Sequence, residues 1–242
     1  MRRFYASSER ISSGKIKLSP QETHHLISVD RFKKGDEILV FDGNGNEYKS
    51  AVFSTEKAGA VLEIKKKIKR QKRSYTIRVA VCLPKKTKFE TIIEKCTQLN
   101  VDEIIPLISE RTIVKIDKTK AQAKLKRWQK KIIEAAKQSN RAKFPALKKV
   151  SRFNEFVENL TKDGFILIPT LYSAGNLKSV LKNIQTYKDI TILIGPEGGF
   201  SPAEVKLAET KGALPVSLGG TILRTETAVI FIVSVINYEM EA

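Results

Sequence analysis

The chain has 242 residues, and its 44 Lys and Arg against 26 Asp and Glu give a formal net charge of +18. That length suffices for one large domain or two smaller ones, and that charge predicts a polyanionic partner, most simply nucleic acid, with an anionic membrane surface as the alternative. The composition excludes a membrane-spanning helix, which needs roughly 18 consecutive apolar residues, and two cysteines, Cys82 and Cys96, make neither a disulfide framework nor a zinc pattern.

The first residues lack the apolar core of a secretory signal, and the two cysteines suit a reducing compartment, so we expect a cytoplasmic protein. The only histidines, His24 and His25, are adjacent. On a strand they would face opposite ways, and no metal site is predicted.

Residues 1–72 predict a small β-barrel, because short strand-like stretches alternate with turn signals. The run Asp-Gly-Asn-Gly-Asn at 42–46 is strong hairpin chemistry between an apolar stretch at 37–41 and a returning stretch at 48–53. Further strands are expected at 15–18 and 59–65. Residues 1–73 hold 17 basic and 9 acidic residues, which makes this part more densely basic than the remainder.

A basic run from Lys65 to Arg73 marks the expected linker to a second domain, 73–242. This run is interpreted either as a solvated segment between the domains or as a nucleic-acid contact, and the two interpretations are compatible. In the second domain, strand and helix patterns alternate, which predicts a parallel sheet with helices on both faces. The strands are expected at 77–83, 103–107 and 165–169, and the helices at 86–99, 120–139 and 177–184.

The last fifty residues contain two strand–turn–helix segments. In the first, an apolar strand at 190–194 meets the glycine turn 195–199, and Ser201 is expected to cap a helix that starts at Pro202. In the second, a strand at 215–218 meets Gly219-Gly220, and Thr225 is the expected N-cap of an apolar final helix. Glycine turns at the carboxyl ends of parallel strands are typical of a ligand site, although two ordinary β–turn–α connections remain the alternative.

The two segments together resemble the cofactor-binding signature of the SPOUT methyltransferases. The likeness rests on Gly-Pro-Glu-Gly-Gly-Phe-Ser at 195–201 and Ser-Leu-Gly-Gly-Thr-Ile-Leu-Arg-Thr-Glu-Thr-Ala at 217–228, and it is greatest to the bacterial 16S ribosomal RNA uridine-N3 methyltransferase family. It implies an α/β fold with a SPOUT-type parallel sheet and a C-terminal trefoil knot, preceded by a PUA-like RNA-binding barrel.

Other stretches extend the resemblance. Residues 83–112 are similar to the strand–helix–strand opening of the family, with Asn100 where members usually carry Gly, and Asn tolerates the left-handed conformation that such a turn needs. Residues 127–145 resemble a second family signature, which ends in Gln-Ser-X-Arg at Arg141. Asp30 departs from the Val-Leu-Arg triplet of the family and puts one RNA contact in doubt.

The resemblance implies that the knot binds S-adenosyl-L-methionine, with 16S ribosomal RNA of the small subunit as partner substrate. The implied cofactor-binding residues are Leu171, Ile194, Gly195, Glu197, Gly198, Leu218, Gly219, Ile222, Leu223 and Thr225. If the adenosyl group packs against the two glycine turns, they have no room for side chains, so Gly198→Val and Gly219→Val should abolish cofactor binding.

For methyl transfer to N3 of uracil, Arg224 is the candidate to stabilise negative charge on the uracil oxygens or to hold a phosphate. Glu226 is the candidate base, or else a first-turn acid that complements the helix dipole. Arg141 is placed near the active-site cleft by resemblance, with a plain surface cation as the alternative. The candidate RNA-binding residues are Arg2, Arg3, Arg31, Lys65, Lys66, Lys67 and Arg70.

The final helix, 227–240, is apolar nearly all round, which predicts burial on several sides. By resemblance one side meets a second subunit, so a homodimer is expected, with Ile232 or Val235 at the interface. Two other functions stay open. A ribose 2′-O methyltransferase of the same superfamily usually has another element after the second glycine turn, and a non-catalytic ribosome assembly factor would not need the intact glycine turns.

Overall fold

The structure is a computed structural model that describes residues 2–56, 59–69, 73–85, 87–114, 118–161, 163–171 and 175–241, with the side chains of 56 and 118–121 left aside. The chain forms two compact units. One consists of residues 1–72 together with 133–144, and the other of residues 73–132 together with 145–242.

The N-terminal unit is built on a curled sheet in which most neighbouring strands are antiparallel. Its strands are β1 Arg3–Tyr5, β2 Ile11–Ser12, β3 Lys15–Lys17, β4 Glu37–Phe41, β5 Glu47–Glu56 and β6 Gly59–Ile68, in the order β1-β4-β5-β6-β3-β2. A short helix α1, Pro20–His24, continues into a wider helical turn at His25–Val29. Apolar side chains from one sheet face, among them Phe4, Ile16 and Leu62, pack with Leu26 to form the core.

The predicted hairpin lies between β4 and β5, and the Asp42 side chain organises it. Asp42 Oδ1 accepts hydrogen bonds from the backbone N–H of Asn44 at 2.8 Å and of Asn46 at 3.1 Å, while Asn46 Nδ2 donates to Asp42 Oδ2 at 2.6 Å. The expected linker at 65–73, however, is partly strand in the structure. Strand β6 extends to Ile68, and Lys66 and Lys67 pair with Lys49 and Tyr48 of β5, so the first basic residues belong to the sheet.

Residues 133–144 also differ from expectation, because the sequence assigns them to the second domain. In the structure they belong to the N-terminal unit, where Ala136 and Ala142 pack with Phe41. Phe144 lies 5.1 Å from the ring of Tyr5 and 5.8 Å from that of Phe41, measured between ring centroids. A cluster of aromatic and small residues therefore holds this segment in the N-terminal unit. Helical periodicity alone does not predict this packing.

The C-terminal unit contains a parallel sheet, as predicted. Its strands are β7 Thr76–Cys82, β8 Glu103–Ile108, β9 Ala146–Leu147, β10 Ser151–Arg152, β11 Phe165–Pro169, β12 Gly175–Asn176, β13 Asp189–Ile194 and β14 Ala213–Ser217. The order is β10-β8-β7-β13-β11-β14-β12, and β9 pairs with β8. Strand β11 therefore lies between β13 and β14, which places the carboxyl ends of these three strands side by side.

Helices accompany the strands of this unit. They are α2 Lys88–Gln98, α3 Lys118–Gln138 (whose last residues belong to the N-terminal unit), α4 Phe153–Glu158, α5 Leu177–Val180 with a 3₁₀ turn at Leu181–Thr186, α6 Pro202–Thr210 and α7 Thr225–Glu241. No helix within the described ranges is long and apolar enough to cross a membrane. Asn100, after α2, has φ of 60°, which confirms the left-handed turn expected there.

The two C-terminal helices begin in different ways. Ser201 caps α6 as predicted, in a reciprocal arrangement where its hydroxyl accepts from Glu204 N–H and the Glu204 carboxylate accepts from Ser201 N–H. The N-cap prediction for Thr225 is wrong by one position. Helix α7 begins at Thr225 itself, and the carbonyl of Arg224 accepts the first hydrogen bond, from Ala228 N–H at 2.8 Å.

Candidate functional site

A cleft opens where β11, β13 and β14 end, with a cavity volume of about 130 Å³. The loops after these strands and the start of α7 form its walls. Its lining includes every residue that the sequence proposes for cofactor binding: Leu171, Ile194, Gly195, Glu197, Gly198, Leu218, Gly219, Ile222, Leu223 and Thr225. The structure thus brings together residues from three loops that are far apart in the chain, from Leu171 in the first loop to Thr225 after the third.

The glycine turn after β13 is tightly folded. Gly199 N–H donates to the carbonyl of Pro196 at 2.8 Å, and Gly199 has φ of +66°. A Cβ atom at Gly195 would lie 3.0 Å from the backbone N of Phe200 and 3.1 Å from the backbone of Gly199, tighter than most Cβ contacts in proteins. A side chain at Gly195 would therefore push the backbone of the turn aside, whatever ligand the cleft holds.

Gly198 and Gly219 present different surroundings. A Cβ at Gly198 would meet the Arg111 side chain at 3.6 Å, an ordinary contact, so this position is not closed to a small side chain. At Gly219 no atom lies within 4 Å, but φ is +124°, a conformation that residues with side chains rarely adopt. The expectation that a bound adenosyl group leaves no room for side chains at the two turns stays a prediction. In the protein alone, backbone conformation limits substitution at Gly219, and the flexible Arg111 side chain is the neighbour at Gly198.

Thr225 supplies an unsatisfied polar group to the cleft. The residue is 4% exposed, and its Oγ1 atom is buried without a hydrogen-bond partner among the described residues. A buried hydroxyl of this kind costs about 1–3 kcal/mol unless something bonds to it. Since Thr225 lines the cleft, a polar ligand atom is a natural partner.

Residues after β8 brace the first glycine turn, and sequence reasoning missed them. Arg111 Nη1 donates to the carbonyl of Gly198 at 2.9 Å. The buried Glu204 carboxylate bridges two segments, accepting from Glu110 N–H at 2.8 Å and from Ser201 N–H at 2.9 Å. The only hint of this contact in the sequence is that Ser-Glu-Arg-Thr at 109–112 lies inside a stretch that resembles the family.

The residues proposed for chemistry flank Thr225 at the start of α7. Arg224 is exposed, and Glu226 lies in the first helical turn with 18% of its side chain exposed. Lys88 of α2 lies 3.4 Å from Glu226 Oε1, whereas Oε2 is buried and has no hydrogen-bond partner within the described part of the chain. Neither Arg224 nor Glu226 is a cleft-lining residue, so their roles stay predictions.

Arg141 and Arg3 belong to the N-terminal unit. Both are 8% exposed, and Arg3 Nη2 donates to the carbonyl of Arg141 at 3.3 Å. Arg3 also forms a buried ion pair with Glu47 at 2.6 Å. A guanidinium held in this way stabilises its own unit, so Arg3 is a poor candidate for RNA contact. The active-site role of Arg141 stays a prediction.

The other candidate RNA contacts lie at the surface, apart from Arg70, which is outside the described residues. Arg31 and Lys65–Lys67 are exposed, and Lys65 pairs with Glu63 at 2.7 Å. Asp30, the departure from the family triplet, forms an ion pair of 3.3 Å with Arg2, whose side chain is 73% exposed. Asp30 therefore positions Arg2.

Among the described residues, no group of three or more His, Cys, Asp or Glu side chains is placed to hold a metal ion. Both cysteines are buried. Burial raises the pKa of the Cys82 thiol to about 12, although hydrogen bonds with Ser109 and Thr112 act in the opposite direction. Cys82 is thus a neutral core residue at physiological pH.

Comparison with known proteins agrees with this geometry. Residues 71–237 match the model of the RNA methyltransferase domain, and residues 18–65 match that of the RNA methyltransferase PUA domain. The class is therefore an RNA methyltransferase with an N-terminal PUA-like unit. The fold class expected from the sequence, a PUA-like unit followed in the chain by a SPOUT-type parallel sheet, is confirmed.

Individual relatives narrow the assignment. The ribosomal RNA small subunit methyltransferase E of Synechocystis sp. is 33% identical over 99% of this chain and 78% of its own length, and that of Aquifex aeolicus is 31% identical over 96% and 97%. The chain belongs to the ribosomal RNA small subunit methyltransferase E family.

Solved structures give the same picture. The Neisseria gonorrhoeae member of that family, crystallised with S-adenosyl methionine, has a TM-score of 0.87 and 28% identity, and the match covers 98% of this chain and 97% of that one. A Legionella pneumophila methyltransferase in complex with the same cofactor has a TM-score of 0.87 and 30% identity, with 98% and 96% covered.

Proposed function

We propose that the protein methylates N3 of a uridine in 16S ribosomal RNA of the small subunit, with S-adenosyl-L-methionine as methyl donor, and that it acts in the cytoplasm. The observation that carries the proposal is the cleft at the ends of β11, β13 and β14. Its lining contains every residue implied for the cofactor, together with the unsatisfied hydroxyl of Thr225.

The residues present suit this cofactor. Ile194, Leu218 and Leu223 provide apolar walls for a flat ring, and the glycine turns expose backbone N–H and C=O groups to its polar edge. Glu197 lines the same cleft and offers a carboxylate to a sulfonium or to ribose hydroxyls. The hydroxyl of Thr225 would gain the hydrogen bond that it lacks in the protein alone.

When bound, S-adenosylmethionine supplies an electrophilic methyl group on a sulfonium centre. The protein must then hold the uracil so that N3 faces that methyl, and positioning of this kind can supply a large part of the rate enhancement. The N3 proton must also leave, and Glu226 is the proposed acceptor, through the carboxylate that Lys88 orients. Arg224 is proposed to stabilise the negative charge that then develops on the uracil oxygens.

The N-terminal unit and its basic strand β6 are proposed to bind the RNA through phosphate contacts. Arg2, Arg31, Lys66 and Lys67 are the surface cations that the proposal assigns to it. Such contacts add affinity without reading sequence, so the choice of uridine is left to the cleft.

We propose a homodimer, supported by apolar side chains left at the surface of the C-terminal unit. Phe231 and Tyr238 on α7 are 40% and 73% exposed, and Leu171 and Ile222 at the mouth of the cleft are 69% and 78% exposed. Ile232, one of the two expected interface residues, is fully buried in its own subunit. Val235, the other, is half-buried and stays a proposed contact residue, together with Phe231 and Tyr238.

Two experiments distinguish the proposed function from the two alternatives, a 2′-O methyltransferase and a non-catalytic assembly factor. Titration of the protein with S-adenosylmethionine in a calorimeter should give saturable binding, and an absence of binding would favour a non-catalytic assembly factor. Incubation of protein and cofactor with 16S ribosomal RNA, followed by nucleoside analysis, then distinguishes 3-methyluridine from a 2′-O-methylated nucleoside.

A further inference from the structure

Phe53, on strand β5, is an aromatic residue at the surface of the N-terminal unit. It is 46% exposed, whereas its neighbour Val52 is 2% exposed and packs in the core. The pairing of β5 with β6 accounts for this exposure. Val52 pairs with Leu62, and Ser54 pairs with Val61. Phe53 between them is therefore the extra residue of a β-bulge, an irregularity that re-aims a side chain and is common next to functional sites.

Two exposed lysines from separate elements flank the Phe53 ring. Lys15 Nζ, on β3, lies 4.9 Å from the ring centroid, and Lys34 Nζ, in the loop before β4, lies 5.8 Å from it. The loop is held beside β5 by its backbone, because Gly35 N–H donates to the Val52 carbonyl at 2.8 Å. The tertiary fold therefore assembles this group of one ring and two cations from three places in the chain.

The surroundings of the ring favour an anion. Lys17 is exposed on the same strand as Lys15. Glu63, on the neighbouring strand β6, is already paired with Lys65 at 2.7 Å. The hydrogen bond from Lys65 lowers the pKa of the Glu63 carboxyl, and the charge of Lys15 adds to that effect. Because Lys65 balances the charge of Glu63, the net charge beside the Phe53 ring is positive.

We propose that Phe53, Lys15 and Lys34 form a stacking platform for an unpaired nucleotide of the RNA substrate. Stacking of a base on an aromatic ring is stronger than a cation–π contact at an exposed site, so a base displaces the ammonium groups from the ring face. Lysine side chains are long and flexible, and the two ammonium groups then bind the phosphates on either side of the stacked base.

The inference rests on the proposed RNA substrate and adds a structural preference to it. Phosphate contacts alone hold paired and unpaired RNA, whereas a stacked base must first be out of its helix. The platform therefore favours RNA with an unpaired nucleotide. It does not read the identity of the base, because every base has a π-face.

The test uses the full-length protein without cofactor and two fluorescently labelled RNAs of equal length. One is a single-stranded decamer of mixed sequence, and the other is the same decamer with abasic sites throughout, which keeps the phosphates and lacks the bases. Binding is followed by fluorescence anisotropy. The platform predicts that the wild type binds the decamer with bases more tightly than the abasic decamer.

The matched variants are Phe53→Leu, which keeps an apolar side chain without the ring, and Phe53→Tyr, which keeps the ring. Phe53→Leu should weaken binding of the decamer with bases about 5- to 150-fold, the range for one lost base–aromatic stack, and leave the affinity for the abasic decamer unchanged. Phe53→Tyr should bind both RNAs as the wild type does. Lys15→Gln combined with Lys34→Gln should instead lower the salt dependence for both RNAs by about two phosphate contacts.

Equal affinity of the wild type and Phe53→Leu for the decamer with bases would overturn the platform and leave the ring to another occupant, such as a protein surface. Equal losses for both RNAs, or the same loss in Phe53→Tyr, would also overturn it, because stacking on the ring would not be the cause. A wild type that binds neither RNA would contradict the RNA substrate and the platform together.

The titration needs neither cofactor nor turnover, so its outcome is independent of the proposed methyl transfer. Methylation of 16S ribosomal RNA by a wild type whose RNA affinity Phe53→Leu leaves unchanged would refute the platform alone. The predicted affinities without any methylation would refute only the proposed reaction.

Discussion

Lys88 at the start of α2 and Glu226 in the first turn of α7 form an ion pair, with Lys88 Nζ 3.4 Å from Glu226 Oε1. The other carboxylate oxygen, Oε2, is buried without a hydrogen-bond partner in the described part of the structure. This arrangement fixes the carboxylate through Oε1. A general base must also come within hydrogen-bond reach of the proton that it takes, so the role of Glu226 as the base stays a proposal.

The role of Glu226 is tested by Glu226→Gln, which keeps the shape of the side chain. If Glu226 is the base, kcat should fall about 10²- to 10⁴-fold, while the dissociation constant for S-adenosylmethionine changes little. Lys88→Ala keeps the carboxylate but removes the cation that orients it, so kcat should also fall, by less than in Glu226→Gln. A variant with normal kcat and a stability loss of about 0.3–1 kcal/mol would instead identify a helix-dipole contact.

Gly219 is the sharpest probe of the cofactor cleft. With φ of +124°, a side chain there strains the backbone, and such strain costs about 1–3 kcal/mol. Gly219→Ala should therefore raise the dissociation constant for S-adenosylmethionine about 10- to 100-fold in calorimetry. Gly220→Ala is the matched control, because a Cβ there also meets open space but the backbone is not in the left-handed region. Equal affinities in the two variants would remove Gly219 from the site.

Arg111 is expected to position the glycine turn after β13 without touching the reacting atoms. Its guanidinium bonds to the Gly198 carbonyl at 2.9 Å, so Arg111→Ala should weaken cofactor binding by at most about 10- to 150-fold, the range for one hydrogen bond from a charged donor. Arg111→Lys should restore part of the affinity. Arg152→Ala, at a side chain that is 80% exposed, is the control. Unchanged affinity in Arg111→Ala would show that the turn holds its conformation alone.

These sites show what the sequence could and could not reveal. The strand–turn–helix pattern around Gly195–Gly199 and Gly219-Gly220 predicts the cleft, because glycine turns after buried strands have a local chemical signature. Contacts between distant segments leave no such signature. Arg111 approaches Gly198 across 87 residues of chain. The strand order, with β11 between β13 and β14, is set by tertiary packing. A knotted connection cannot be predicted from hydrophobic periodicity either, because knots are rare exceptions to the usual rules of chain connection.

The hydrophobic pattern of the sequence also failed to predict the burial of two residues, Arg3 and Ile232. Arg3 reads as a surface cation in a basic N-terminus, yet Glu47 of another strand holds it in the interior. Ile232 reads as an interface residue in an apolar helix, yet it is fully buried in its own subunit. In each case the deciding partner lies far away in sequence, so only the folded structure can assign the role.

Salt dependence tests the basic strand β6. Replacing Lys65, Lys66 and Lys67 by Gln should reduce the slope of log K against log salt for RNA binding by about two phosphate contacts. The reduction is smaller than three because Lys65 already pairs with Glu63 at 2.7 Å. Lys211→Gln, which removes one charge from the C-terminal unit, is the control and should leave the slope almost unchanged. A triple variant with the wild-type slope would exclude this strand from RNA binding.

The homodimer is tested on the exposed face of α7. Phe231→Asp combined with Tyr238→Asp should convert dimers to monomers in light scattering at micromolar concentration, because charges would replace apolar side chains at the contact. Val29→Asp, at an apolar residue that is 56% exposed in the N-terminal unit, is the control and should remain dimeric. A wild-type protein that is monomeric and fully active would refute the dimer.

The central claim is methyl transfer to N3 of a uridine in the small-subunit RNA. Its most direct test is mass-spectrometric mapping of methylated nucleotides in 16S ribosomal RNA from cells with and without this protein, with purified protein and S-adenosylmethionine added back to the unmethylated RNA or subunit. The account predicts that one 3-methyluridine is lost without the protein and regained on its addition. Loss of a 2′-O-methylated nucleoside instead, or an unchanged methylation map, would contradict it.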